Sequence, residues 1–121
     1  MLLIIPTAVG GSSISQWIND ETFRNVTLFS NFKEKIDTGK TYGTVKAILW
    51  HQGETDATAQ ETIEIYDEQL QKLFALFRNE TDNQVLPIIL GELGSFSKTD
   101  DNWKAINSKI EEYIKTDPNA Y

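Results

Sequence analysis

The chain opens on an apolar run, Leu2 to Ile5, halted by Pro6 and then by the pair Gly10-Gly11. That pattern predicts a buried strand over Met1 to Val9, followed by turn chemistry at Gly10-Gly11-Ser12-Ser13. Ser13 or Ser15 is placed to cap a helical segment around Gln16-Trp17-Ile18, and a second helical stretch over Phe32 to Ile36 ends at Gly39. Lys40 to Gly43 reads as a connector. Val45 to Trp50 is apolar at nearly every position, as expected of a strand covered on both faces.

Thr58-Ala59-Gln60-Glu61 has the spacing of a capping box, in which the Thr oxygen and the Glu carboxylate take up free backbone donors at a helix start. The helix it opens carries the clearest periodicity in the chain. Ile63, Tyr66, Leu70, Leu73, Phe74 and Phe77 recur at helical spacing, while Glu64, Asp67, Glu68, Gln71 and Lys72 fill the other face. Val85 to Leu90 predicts a third strand. Asp100 or Asp101 would cap a last helix with Trp103, Ile106, Ile110 and Tyr113 or Ile114 turned inward, and Asp117-Pro118 ends it. Strands alternating with helices over connections of this length imply an α/β fold with a parallel sheet and helices on both faces. In such sheets ligands sit at the carboxyl ends of the strands. Gly10 to Ser13, His51 to Asp56 and Gly91 to Gly94 all fall there.

At 121 residues the chain has the length of one domain, with no linker, repeat or low-complexity tract, and residues 1–121 read as a single domain or part of one. A net charge of -7 argues against a nucleic-acid partner, which would need clustered Lys and Arg. No run of about 18 apolar residues occurs, so no segment reads as a bilayer span. Met1 to Ile5 is too short for a signal h-region and has no basic stretch before it, so a secretion signal would lie outside this chain. With no cysteine, disulfide and thiolate chemistry drop out together, and the compartment stays undecided between cytoplasm and export. Asn25-Val26-Thr27 and Asn79-Glu80-Thr81 match the glycosylation triplet, a pattern too short to carry weight.

Chemistry concentrates in Ile48-Leu49-Trp50-His51-Gln52-Gly53-Glu54-Thr55-Asp56-Ala57, which sets an apolar strand against a knot of polar groups and holds the only histidine. Ser13, His51 and Glu54 invite assignment as a nucleophile, base and orienting acid. Strand geometry opposes it, since His51 and Gln52 point to opposite faces and Gly53 redirects the chain before Glu54. For His51 by itself a structural role at the strand end is favoured. One histidine among scattered carboxylates has no metal-ligand spacing, and no cofactor is implied. Gln52 is a stronger candidate than His51, because a carboxamide N–H at a strand end can stabilise an oxyanion, and the Gly10-Gly11 turn offers a backbone N–H unblocked by a side chain, though the residues alone favour plain strand-end and turn roles for both.

Gly10-Gly11-Ser12-Ser13-Ile14-Ser15-Gln16-Trp17, followed after a spacer by Trp50-His51-Gln52-Gly53-Glu54-Thr55-Asp56-Ala57, resembles the SGNH hydrolase superfamily, within it the carbohydrate esterase family 6 and sialate O-acetylesterase group. Tyr66 with Arg78, Leu86-Pro87-Ile88 and the Gly91-Glu92-Leu93-Gly94 turn extend the likeness over nearly the whole chain. The resemblance implies a flavodoxin-like three-layer α/β/α fold and acyl-ester hydrolysis by a Ser-His-acid triad, acting on an acetylated carbohydrate of the sialic acid or xylan type. By motif, Gly11 matches the backbone oxyanion donor, Gln52 the side-chain donor, and Glu54 the acid that orients the catalytic His in some members. Gly10, Ser12, His51 and Gly53 match positions that shape the substrate site.

The Gly-Gln-Ser block that carries the family's nucleophile and the Asp-x-x-His block that carries its base have no match in this chain. The resemblance therefore implies an incomplete SGNH domain, inactive by itself, with the first strand and the C-terminal block absent and a further strand due to start near Tyr121. A non-catalytic carbohydrate-binding or scaffold remnant is the alternative. In the strand order 2-1-3-4-5 the absent strand would lie between Leu2 to Ile5 and Val45 to Trp50. Such exposed edges seek partners, so a complementary N-terminal fragment or self-association is expected ahead of direct closure of those two strands onto each other.

Overall fold

A computed structural model describes residues 1–94 and 100–121. The first helix, α1 (Ile14–Ile18), starts at Ser13, whose hydroxyl accepts from the Gln16 N–H while the Gln16 side chain accepts from the Ser13 N–H. This reciprocal capping box satisfies donors that a helix start leaves free. A hairpin follows, β1 (Thr22–Phe23) and β2 (Val26–Thr27), antiparallel with Thr22 opposite Thr27. Its two turn residues, Arg24 and Asn25, have φ of 49° and 63°, the left-handed values that a two-residue turn needs to match strand twist. With no glycine in the turn, the sequence carried no strong hairpin signal.

Helix α2 (Leu28–Lys40) begins four residues earlier than the Phe32 start its periodicity implied, and runs one residue beyond Gly39. Its start is set from a distance: the Asp20 carboxylate accepts from the Ser30 N–H at 2.7 Å and from the Ser30 hydroxyl at 2.5 Å. Leu28, Phe32 and Ile36, four residues apart, form its buried stripe. Strand β3 (Ile48–Trp50) leads through a 3₁₀ turn, Asp56–Thr58, into α3 (Gln60–Glu64) and α4 (Tyr66–Glu80), with β4 (Ile88–Leu90) and α5 (Asp100–Thr116) after them.

The capping box expected at Thr58-Ala59-Gln60-Glu61 does not form. Thr58 belongs to the 3₁₀ turn and donates its hydroxyl to the Thr55 carbonyl, so Ala59 takes the cap position without a side-chain bond. The expected continuous helix is interrupted at Ile65, yet Ile63, Tyr66, Leu70, Leu73, Phe74 and Phe77 are all buried as their spacing required. Helix α5 begins at Asp100, and Asp101 lies inside its first turn, where its charge suits the helix dipole. The cap position itself falls outside the described residues. Ile106, Ile110 and Tyr113 are buried, with Trp103 and Ile114 packed against them.

Strands β3 and β4 pair in parallel, Ile48 with Ile88 and Trp50 with Leu90. The C-terminal residues lie parallel beside β4 as an isolated bridge, Ile88 with Ala120, in which the Tyr121 N–H donates to the Ile88 carbonyl and the Leu90 N–H to that of Tyr121. A buried ion pair aims this last segment. Arg78 donates to Asp117 at 2.6 Å and twice to the Leu86 carbonyl, while Asp117 accepts from the Tyr113 hydroxyl and the Asn119 N–H.

Met1 to Val9 is not a strand. Among the described residues it has no ladder partner, and Leu2 is 82% and Ile4 76% exposed. An apolar run records what is stable when buried, but a strand also needs a neighbouring backbone, and β3 spends its described ladder on β4. Ile5 reaches α2 at Gly39, and Lys35 donates to the Pro6 carbonyl at 2.8 Å. The sheet is likewise covered on one face only: Trp50 and Ile88 face the core, while Leu49 is 68% and Ile89 46% exposed. The fold is thus mixed helix and strand around a small parallel sheet, with Trp17, Trp50, Phe74 and Phe77 meeting at the centre of the core.

Candidate functional site

Beyond the carboxyl end of β3 a cleft of about 360 Å³ opens between two loops. One wall is Ala8 to Ser12, the other His51, Gln52, Glu54 and Thr55. The two blocks singled out in the sequence therefore meet. Gly11 has φ of 86°, a backbone conformation that disfavours any residue with a Cβ, and among the described residues its N–H donates to no acceptor.

Several hydrogen bonds tie the walls together. The Thr55 hydroxyl donates to the Gly11 carbonyl at 2.9 Å. The Gln52 carboxamide nitrogen donates to the Ser12 carbonyl at 2.9 Å and to the Asp56 carboxylate at 2.5 Å. That same Asp56 oxygen accepts the Ile14 N–H, the first of α1, at 3.0 Å. Ser12 is held in turn: its hydroxyl donates to the Val9 carbonyl at 2.8 Å and accepts the Trp17 indole N–H at 2.9 Å. From α4, the Tyr66 hydroxyl bears on the Gln52 carbonyl at 2.7 Å and on its side-chain oxygen at 3.1 Å.

Burial raises the Asp56 carboxyl above its ordinary range, against the hydrogen bonds from Gln52 and Ile14 that favour the charged form. Burial also raises Tyr66 strongly, which keeps it a protonated donor. Among the described residues the buried indole N–H of Trp50 meets no acceptor at hydrogen-bond geometry.

Gly10, Gly11, Ser12, His51, Gln52 and Glu54 all line the cleft. Gly53 does not. It lies beneath the wall at φ of 146°, where a Cβ would come within 2.8 Å of Ile106 and 3.3 Å of Leu93. His51 is exposed, with its ring over Gly91, and among the described residues it makes no hydrogen bond to Ser13. The Ser13 hydroxyl instead caps α1 and meets Ser15 at 3.1 Å. The Ser13, His51, Glu54 constellation is therefore not assembled. Sequence reasoning passed over Asp56, Thr55 and Tyr66. Asp56 stood in plain view beside Ala57, but its partner Ile14 is 42 residues away, and only folding brings them together.

A family model described as carbohydrate esterase, sialic acid-specific acetylesterase matches residues 1–120. A probable carbohydrate esterase from Arabidopsis thaliana is 31% identical over 87 residues, a match covering 71% of this chain and 32% of that relative. The chain thus spans about a third of that relative's length. With both blocks of the resemblance facing one cleft and the family match running over nearly every residue, the chain belongs to the carbohydrate esterase family of sialic acid-specific acetylesterases.

Proposed function

We propose that this chain forms the oxyanion side of a serine esterase that removes O-acetyl groups from a carbohydrate of the sialic acid or xylan type. The observation that carries this reading is the cleft in which Gly10 to Ser12 face His51 to Thr55, with a Gly11 N–H on its wall that meets no acceptor among the described residues. In an acyl transfer, a serine oxygen adds to the acetyl carbonyl and negative charge develops on the carbonyl oxygen. Donors fixed in advance around that oxygen lower the barrier. The Gly11 N–H supplies one. Gln52 supplies the second when the Nε2 proton now given to the Ser12 carbonyl is shared with the substrate oxygen.

Glu54, exposed at the cleft rim, is the acid we assign to orienting the catalytic histidine. The serine and that histidine belong to segments flanking this chain in the intact protein, consistent with the partial span of the relative. The sugar hydroxyl departs with a proton from the histidine, and water then releases acetate from the acetyl-serine.

The test is acetyl release by a chain extended at both ends, assayed on an aryl acetate and on acetylated sugars. We expect release from both substrate types. No release from any acetyl ester would overturn the enzyme reading.

A further inference from the structure

Asp56 lies outside the cleft lining, is almost fully buried, and is costly to ionise where it sits, yet it holds Gln52 of one wall and the start of the helix that follows the other. Its Oδ2 accepts the first N–H of α1 and a carboxamide proton of Gln52. A carboxamide is nearly symmetric in shape, and a half-turn about its last bond exchanges nitrogen for oxygen. Only its partners fix which end is which. At Gln52 the nitrogen faces two acceptors, the Ser12 carbonyl and Asp56, while the oxygen faces the Tyr66 hydroxyl. Turned over, the amide oxygen would meet a carbonyl and a carboxylate, and the amide nitrogen would lose both acceptors.

We propose that Asp56 is a positioning residue that locks the Gln52 carboxamide with its donor end toward the Gly11-Ser12 wall, and anchors that wall by capping α1. The proposal rests on the reading of this cleft as an oxyanion site. Removing the carboxylate leaves Ser12 and Tyr66 as the remaining guides, and the buried N–H groups of Gln52 and Ile14 lose an acceptor. A carboxamide donor that flips is worse than absent, because its carbonyl dipole would then oppose the developing oxyanion.

The experiment is proton NMR on the ¹⁵N-labelled chain, reading the two Nε2 protons of Gln52 without any substrate. In the wild type they should exchange with solvent at least about tenfold more slowly than those of the exposed Gln71, with a cross-peak to the Ile14 amide proton. Asp56→Asn, which still presents an acceptor oxygen, should retain both signatures. Asp56→Leu should lose the protection at Gln52 while the core of α4 keeps its own.

Equal exchange at Gln52 and Gln71 in the wild type would overturn the proposal, and that measurement stands even where the Leu variant fails to fold. Loss of protection spread uniformly over α1 and α4 in Asp56→Leu, with Gln52 no worse than its surroundings, would reduce Asp56 to a structural cap and also overturn it. Because no substrate is involved, failure here leaves the acetylesterase reading standing, and absence of acetyl release in the extended protein leaves the carboxamide lock standing.

Discussion

The Gln52 carboxamide ties the two walls in the structure and is also the oxyanion donor we propose. In the extended protein, Gln52→Ala should lower kcat by roughly 10² to 10³ with little change in KM, the scale for losing one oxyanion donor. A pure KM effect in steady-state kinetics would place it in substrate binding instead. Glu54→Gln should lower activity while leaving the melting curve in place, because an exposed acid that orients a histidine acts through tautomer and geometry. Gly53→Ala tests the support beneath the wall. The added Cβ meets Ile106, Leu93 and the Tyr66 oxygen at a positive φ, so a loss of about 1 to 3 kcal/mol is expected in urea unfolding.

At the scale of elements, α4 organises the molecule: one face carries Leu70, Phe74 and Phe77 into the core, and its last turn delivers Arg78 to Asp117. Arg78→Ala leaves Asp117 buried and uncompensated while freeing the Leu86 carbonyl, so about 3 to 5 kcal/mol should be lost. The two buried carboxylates respond to pH in opposite senses. Burial alone would raise Asp117, but the Arg78 and Tyr113 hydrogen bonds outweigh it and hold its carboxyl below the ordinary value. The stability it contributes is present above the usual carboxylate range and lost as pH falls through its lowered value. Asp56 is raised, so it favours the fold most when protonated, and stability declines as pH rises through its value. Thermal melting between acid and neutral pH should therefore show Asp117→Asn flattening the acid limb, and Asp56→Asn leaving that limb intact.

For the molecule as a whole, the charge-free apolar stretch Leu2 to Ile5 and the open sheet face at Leu49 and Ile89 leave large hydrophobic side chains in water. Surfaces of this kind bind partners or associate. We expect size-exclusion chromatography with light scattering to show association that grows with concentration, and Leu49→Lys or Ile4→Lys to reduce it. A stable monomer at all concentrations would contradict this expectation. Direct closure of Leu2 to Ile5 onto β3, ranked last from the sequence, does not occur in the structure.

Periodicity by itself determined which side chains turn inward: Ile63, Leu70, Phe74, Ile106 and Ile110 are core because a 3.6-residue repeat puts them on one stripe. The paired blocks at Gly10 to Trp17 and Trp50 to Ala57 were equally legible, because close chemical constraints act between neighbours in the chain. Boundaries were not. Helix α2 starts where the distant Asp20 caps it, α3 starts where the 3₁₀ turn lets it, and Met1 to Val9 stays unpaired because among the described residues no strand backbone runs beside it. The same holds within the site. The Ser13 cap was legible from its neighbours, whereas that Asp56 and Gln52 reach across to α1 and the Ser12 carbonyl was decided by contacts between residues far apart in sequence. A linear pattern records local preference, whereas hydrogen-bond partners across a cleft exist only once the chain has closed around it.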